Sequence, residues 1–349
     1  MIGAGDVTVF HMQAWKKIPQ AQIVAIADPN KDNAQQRAAE SGIEPDHIYP
    51  SLNDLLAVEG DLDFVDIAAP PGAHLDLIRT AADHGIHILC QKPFAPSLSQ
   101  ARQMIQICEQ AGVLLSVNEN WRWRSWYRKL RQMIREGAIG QAVYARLFAH
   151  NSYWLPGRTD PGHRFLSWPR VILYDMGVHY ADIFRFLFGE ADSVYARLAR
   201  LNTNLKGDDR AVVIINFGNL TAIVDLSWSS YAPWGHHNRT GPCVEDLRIE
   251  GDQGTLALVT DPQNGDRIRL TTGDGQQELP AYQGDPFEAY KSSYVAAQTH
   301  FIDCLLNGRI PETSGRDNLE SLAIMLAAYH SAEINQVVKL SEFKEWEAA

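Results

Sequence analysis

At 349 residues the chain is too long for one ordinary core and suits two domains, and its 45% hydrophobic and 21% charged residues are the composition of a soluble globular protein. Its formal net charge of −11 argues against nucleic-acid or anionic-membrane partners, no apolar run reaches the length of a membrane span, and no signal peptide opens the chain. Cys90, Cys108, Cys243 and Cys304 form no CxxC pair and the twelve histidines show no HExxH spacing, so free thiols, a cytoplasmic setting and no metal are expected.

The first segment reads MIGAGDVTVFH. Gly3-x-Gly5-x-x-Thr8 has the spacing of a dinucleotide-binding turn, with Thr8 in place of the third glycine. The first glycine makes the tight turn and the second lets the backbone approach a pyrophosphate, so Gly3, Gly5, Asp6 and Val7 are the expected cofactor contacts. Only Met1 and Ile2 precede Gly3, whereas a central strand needs about five residues, so the first strand is expected to be truncated. "AQIVAIAD" (21–28) reads as the next strand and ends in Asp28. A carboxylate there accepts hydrogen bonds from both ribose hydroxyls of NAD and repels a 2′-phosphate, so NAD is expected over NADP. The plainer reading is a two-glycine turn and a helix-capping aspartate.

"DFVDIAAP" (63–70), "HILCQKP" (87–93) and "GVLLSVNE" (112–119) are apolar runs expected as strands covered on both faces. Helical segments such as 32–42 and 99–112 separate them, which predicts parallel βαβ units over residues 1–120. Lys92, at the end of a core strand with Pro93 behind it, is out of place unless chemistry uses it. A cis Lys92–Pro93 bond is expected. Pro70 and His74 close the third strand, where the crevice of a doubly wound sheet meets its cofactor.

The pattern changes beyond residue 120. A helix over 126–137 leads to longer alternating strands at 142–150, 193–200, 211–217, 221–228, 245–251 and 254–259. They predict a mostly antiparallel open sheet in an α+β domain over 121–349, joined by helices at 174–189 and 318–334. One partner-facing side of that sheet predicts a homodimer or homotetramer. Asp175 and His179, four residues apart, share one helix face. The aromatic and polar loops 150–165 and 227–241 offer Tyr153, Trp154, Arg158, His163, His236 and His237 for carbohydrate recognition.

Gly3-x-Gly5 with His11, Asp28, "AAPPGAH" (68–74), "QKP" (91–93) and "DMGVHYAD" (175–182) together resemble the Gfo/Idh/MocA family, the relatives of glucose–fructose oxidoreductase and inositol dehydrogenase. The resemblance continues through 249–258 and 314–332. It implies a Rossmann domain followed by an α+β domain, NAD(P), and oxidation or reduction of a secondary alcohol on a sugar, inositol or similar polyol. By that resemblance Lys92 is the lysine of an EKP motif in which Gln91 replaces the glutamate, and Asp175 and His179 are the catalytic aspartate and histidine. The resemblance also sets Asn120 and Arg122 near the nicotinamide and Pro70 and His74 along the dinucleotide. Chemically, a histidine suits removal of the hydroxyl proton, and a lysine suits a charge-assisted bond to the developing alkoxide. Lys92 and His179 are both open as the immediate base. Ser125 stands where the family commonly has proline, and "SWPRVILYD" (167–175) lacks its usual glycines. The competing functions are an NAD-dependent glycosidase or epimerase that oxidises transiently, and a dinucleotide-binding sensor, which would have no use for all three catalytic groups.

Overall fold

The computed structural model describes residues 1–152, 154–155, 163–231, 245–259 and 266–345. The chain divides into two compact units, Met1–Asn120 with Lys291–Glu320, and Trp121–Tyr290 with Ser321–Ala349.

The first unit alternates α1 (Thr8–Trp15), β1 (Ile26–Ala27), α2 (Lys31–Ser41), β2 (Ile48–Tyr49), α3 (Leu52–Leu56), β3 (Phe64–Ile67), α4 (His74–Asp83), β4 (His87–Gln91), α5 (Leu98–Ala111) and β5 (Leu115–Asn118). Every strand pairing in it is parallel: β1 with β2, β3 with β4, and β4 with β5. Ile2 bridges Ala27 on one side and Ile67 on the other, joining the two ribbons into one Rossmann-like sheet. The helices start and stop where local chemistry dictates. Asn30 caps α2 by accepting the N–H groups of Asp32 and Asn33, and left-handed Gly42 ends it. Ser97 and Gly112 do the same for α5. The strand expected over 63–70 stops at Ile67, ahead of Pro70 and Pro71. β2 escapes a sequence reading because two residues carry no period.

Lys291–Glu320, inside the span 121–349 expected as one domain, groups with the first unit. Phe301 and Ile302 are buried with Trp15, Ile26 and Leu89 in its core, and the Ser116 hydroxyl meets the backbone and side-chain oxygens of Thr313. Burial of those apolar side chains fixes where the segment packs, and this is invisible without the tertiary fold.

The second unit contains α6 (Ser125–Arg135), β6 (Ala142–His150), α7 (Val178–Phe188), β7 (Ser193–Ala199), β8 (Arg210–Phe217), β9 (Leu220–Ser227), β10 (Glu245–Gly251), β11 (Gly254–Val259), β12 (Arg267–Thr272) and β13 (Gly275–Pro280). The helices α8 (Pro286–Asn307) and α9 (Gly315–Ile334) and the short β14 (Val338–Lys339) follow. The strands form one nine-stranded sheet in the order β13-β12-β11-β10-β6-β9-β8-β7-β14. Only the central β6–β9 pair among these is parallel. The alternation is clean: Ala145, Leu147 and Ala149 of β6 are buried, while Tyr144, Arg146 and Phe148 are partly exposed. Every residue of β13 is exposed, so that strand offered no apolar alternation to read.

Candidate active site

The candidate residues of the first unit begin with the glycine turn. Gly3 has φ +96°, and a Cβ there would lie 2.7 Å from the Ala68 carbonyl oxygen, so only glycine fits. A Cβ on Gly5 would meet nothing within 4 Å, which leaves the space that a pyrophosphate needs. Thr8, at the start of α1, closes the turn by donating its hydroxyl to Gly3 O at 3.0 Å. Val7 is the N-cap residue of α1 and Asp6 is exposed. Asp28 Oδ2 accepts the Ala4 N–H at 2.7 Å and Oδ1 accepts the Asn30 N–H at 2.7 Å. The aspartate therefore fastens the turn, and each oxygen keeps a lone pair for a ribose hydroxyl. These residues fit a dinucleotide.

Lys92 follows β4, half-buried, and its bond to Pro93 is cis, as the sequence leads one to expect. Gln91 accepts the Lys92 N–H on Oε1 at 2.6 Å. The Gln91 amide nitrogen is 2.9 Å from His11 Nε2, and His11 Nδ1 meets the Asp66 carboxylate at 2.8 Å. Trp15 Nε1–H also donates to Asp66, at 2.7 Å. Asp66 is not among the residues expected from sequence, although a carboxylate in the buried strand FVDI is its own signal, since such a charge must be paired.

His74 is fully buried, with its ring nitrogens 2.9 Å from Phe94 O and 2.9 Å from Ala69 O. Burial pushes its pKa below the usual histidine value, against the two carbonyl bonds that raise it. The ring ties the 69–74 loop to the segment behind Lys92, so its part is to shape the loop; Pro70 stands at the mouth of that loop, exposed. Asn120 is buried and donates to the Ser293 hydroxyl at 2.7 Å.

In the second unit, a π-helical turn, Leu173–Gly177, runs directly into α7. It carries half-buried Asp175, and His179 follows on α7 with 2% exposure. Insertions of this kind recur at functional sites. Buried Asp208 anchors the start of the segment by accepting the N–H groups of Val171 at 2.9 Å and Leu173 at 3.0 Å, and the Tyr329 hydroxyl at 2.8 Å. Burial raises the Asp208 pKa, and those three bonds work against the rise. Gly177 is needed for packing: a Cβ there would lie 2.6 Å from Leu173 Cδ1 and 2.7 Å from Met325 Sδ of α9.

The Trp121 ring stacks on His179 with centroids 4.1 Å apart and planes 1° apart, and the Arg124 guanidinium carbon lies 3.6 Å from the centroid of the same indole. Two groups so close cannot share one face, so the indole is sandwiched between them. Arg124 is itself fully buried and pairs with Glu245 at 2.5 Å; Glu245 also accepts the Tyr127 hydroxyl. Trp121, Arg124, Glu245 and Asp208 were not singled out from sequence, because nothing local distinguishes a tryptophan or arginine that supports a site from one that fills a core. Arg122, expected near the nicotinamide, makes a buried two-pronged pair with Asp182, with Nε–Oδ2 at 2.7 Å.

Trp154 is 7% exposed and packs among His163, Phe165 and Trp228, at centroid distances of 4.8, 5.8 and 5.8 Å. That surrounding makes it part of an aromatic cluster. Tyr153, Arg158, His236 and His237 lie outside the described residues. Among the described residues no cluster of three or more metal-ligating side chains occurs, and no helix is long and apolar enough to cross a membrane.

Two family models match the chain. One, described as an oxidoreductase family with an NAD-binding Rossmann fold, covers residues 1–119, and the other, the GFO/IDH/MocA C-terminal domain, covers residues 127–257. The chain is 35% identical to a D-apiose dehydrogenase of Paraburkholderia graminis over 99% of its own length and 90% of that protein. It is 28% identical to a myo-inositol 2-dehydrogenase of Thermotoga maritima over 98% of each chain. An oxidoreductase from Agrobacterium radiobacter, solved with NAD+, L-tartaric acid and magnesium, superposes with a TM-score of 0.87 at 33% identity, covering 97% of both chains.

Proposed function

The chain belongs to the Gfo/Idh/MocA oxidoreductases, NAD-binding dehydrogenases of sugars and inositols, and on that premise we propose that it oxidises a hydroxyl-bearing carbon of a small sugar, with D-apiose the first candidate. The observation that carries this reading is that one chain combines the open Gly3–Gly5 turn with the motif residues Lys92, Asp175 and His179. Bound NAD supplies the hydride acceptor. Lys92 and His179 between them carry the hydroxyl proton and steady the developing alkoxide, and Asp175 orients the hydroxyl. The stack of Trp121 on His179 supports this assignment, since a ring held on its face keeps one orientation. Asp28 favours NAD over NADP through the ribose hydroxyls.

The test is a panel of sugars and inositols, D-apiose included, offered with NAD and NADP while the absorbance of the reduced cofactor is followed. Net reduction of NAD by one sugar class is the expected result. Retained NAD with no net reduction, together with conversion of the sugar, points instead to transient oxidation. Lys92→Ala is expected to lower kcat by roughly 10²–10⁴-fold while NAD affinity stays near its original value. Undiminished turnover removes the lysine from the mechanism.

A further inference from the structure

The hydrogen bonds behind Lys92 have directions that the geometry fixes. The Lys92 N–H can only donate, so the Gln91 atom 2.6 Å from it is the carbonyl oxygen. The other end of that amide is then the NH2 group, and it lies 2.9 Å from His11 Nε2. His11 Nε2 must accept, which leaves the ring proton on Nδ1, facing Asp66 at 2.8 and 3.0 Å. The Asn118 amide nitrogen, 3.0 Å away, is a second donor aimed at Nε2. His11, Asp66 and Asn118 are fully buried and Gln91 is 5% exposed, so water does not substitute for these partners.

We propose that Gln91 and His11 form a charge-neutral clamp on the main chain of Lys92, with Gln91, His11 and Asp66 acting as positioning residues for the lysine. The proposal rests on the reading of Lys92 as a reacting group. The side-chain type at position 91 decides the protonation of the ring. Glutamine offers one acceptor and one donor, which match the Lys92 N–H and a bare Nε2. Glutamate offers acceptors alone, so a second proton on His11 would be needed to meet it.

The groups facing the ring and its carboxylate come from several elements. Asp66 is on β3, Cys90 and Gln91 are on β4, Asn118 ends β5, and Trp15 is on α1. Burial pushes the Cys90 thiol far up, so it stays protonated. The Tyr294 ring lies 5.5 Å from the imidazole, and Gln298 donates to His11 O at 3.4 Å. The Met1 amino group, which burial lowers to about 6, feels the Asp66 charge. A second proton on His11 would point at two amide NH2 groups, and Asp66 alone would be left to offset the cost of the buried cation.

The test uses the full chain. Long-range ¹H–¹⁵N spectra of the histidine rings, with His11 assigned by loss of its signals in His11→Gln, report tautomer and charge from about pH 5.5 to 8. The original protein is expected to show the His11 ring proton on Nδ1, with Nε2 bare. In Gln91→Glu a second ring proton is expected on His11 Nε2, with kcat/KM lower than in the original protein. A purely structural role would lower stability without adding this proton. Gln91→Ala, which cuts both bonds, is expected to lower kcat roughly tenfold with NAD affinity little changed. A His11 ring protonated at Nε2 in the original protein, or a Gln91→Glu ring and kcat/KM matching the original, overturns the clamp. Full turnover in Lys92→Ala removes the catalytic reading while leaving the ring spectrum intact; an inactive Lys92→Ala beside an undisturbed Gln91→Ala removes the positioning role alone.

Discussion

Asp28 shows how one side chain can serve two ends. Its oxygens take the N–H groups of Ala4 and Asn30, so it is first a fastener of the glycine turn, and the remaining lone pairs are what a ribose could use. Asp28→Ala is therefore expected to do two things. Discrimination between NAD and NADP relaxes, because the charge that repels a 2′-phosphate is gone. Stability falls by about 1 kcal/mol or more, because two backbone donors lose their partner. Paired Km measurements for the two cofactors, alongside urea melts, check both; unchanged discrimination removes Asp28 as the ribose ligand. The plain reading of Asp28 as a turn-capping aspartate and the functional one are thus compatible at a single residue.

The π-turn and α7 hold Asp175 and His179 as one piece, and that piece is anchored at its start by Asp208. Asp208→Ala leaves the buried N–H groups of Val171 and Leu173 and the Tyr329 hydroxyl without an acceptor. The expected cost is roughly 3 kcal/mol in urea-melt stability, with a drop in kcat larger than any change in NAD affinity. A variant as stable and active as the original would show that the anchor is not needed. The helix was expected from the sequence over 174–189, and Asp175 and His179 were expected through the family resemblance of DMGVHYAD. The anchor was not: Asp208 lies 33 residues beyond Asp175, in the stretch before β8, and only folding brings it to the turn.

For the molecule as a whole, the nine-stranded sheet leaves Tyr144, Phe148, Ile214 and Ile223 partly exposed on the face opposite its buried one, interspersed with Arg146 and Asp225. A mixed face of this size is expected to pair with another copy. Light scattering at micromolar concentration should give at least twice the 39.0 kDa chain mass, and Ile223→Lys should shift the population toward one chain. A monomeric original protein contradicts this.

The two fold classes, the glycine turn and the order of the family motifs are legible in the amino-acid order alone. Those features are local: strand alternation, helix period, capping side chains and a tight turn that only glycine can make act over a few residues. Tertiary structure alone decided that Lys291–Glu320 completes the first unit, that Gln91 faces His11 rather than solvent, that Arg122 spends its guanidinium on Asp182, and that Trp121 lies on His179. Each of these joins residues distant along the chain. Burial then compels every polar group to find its partner, and which partner it finds depends on which elements pack together.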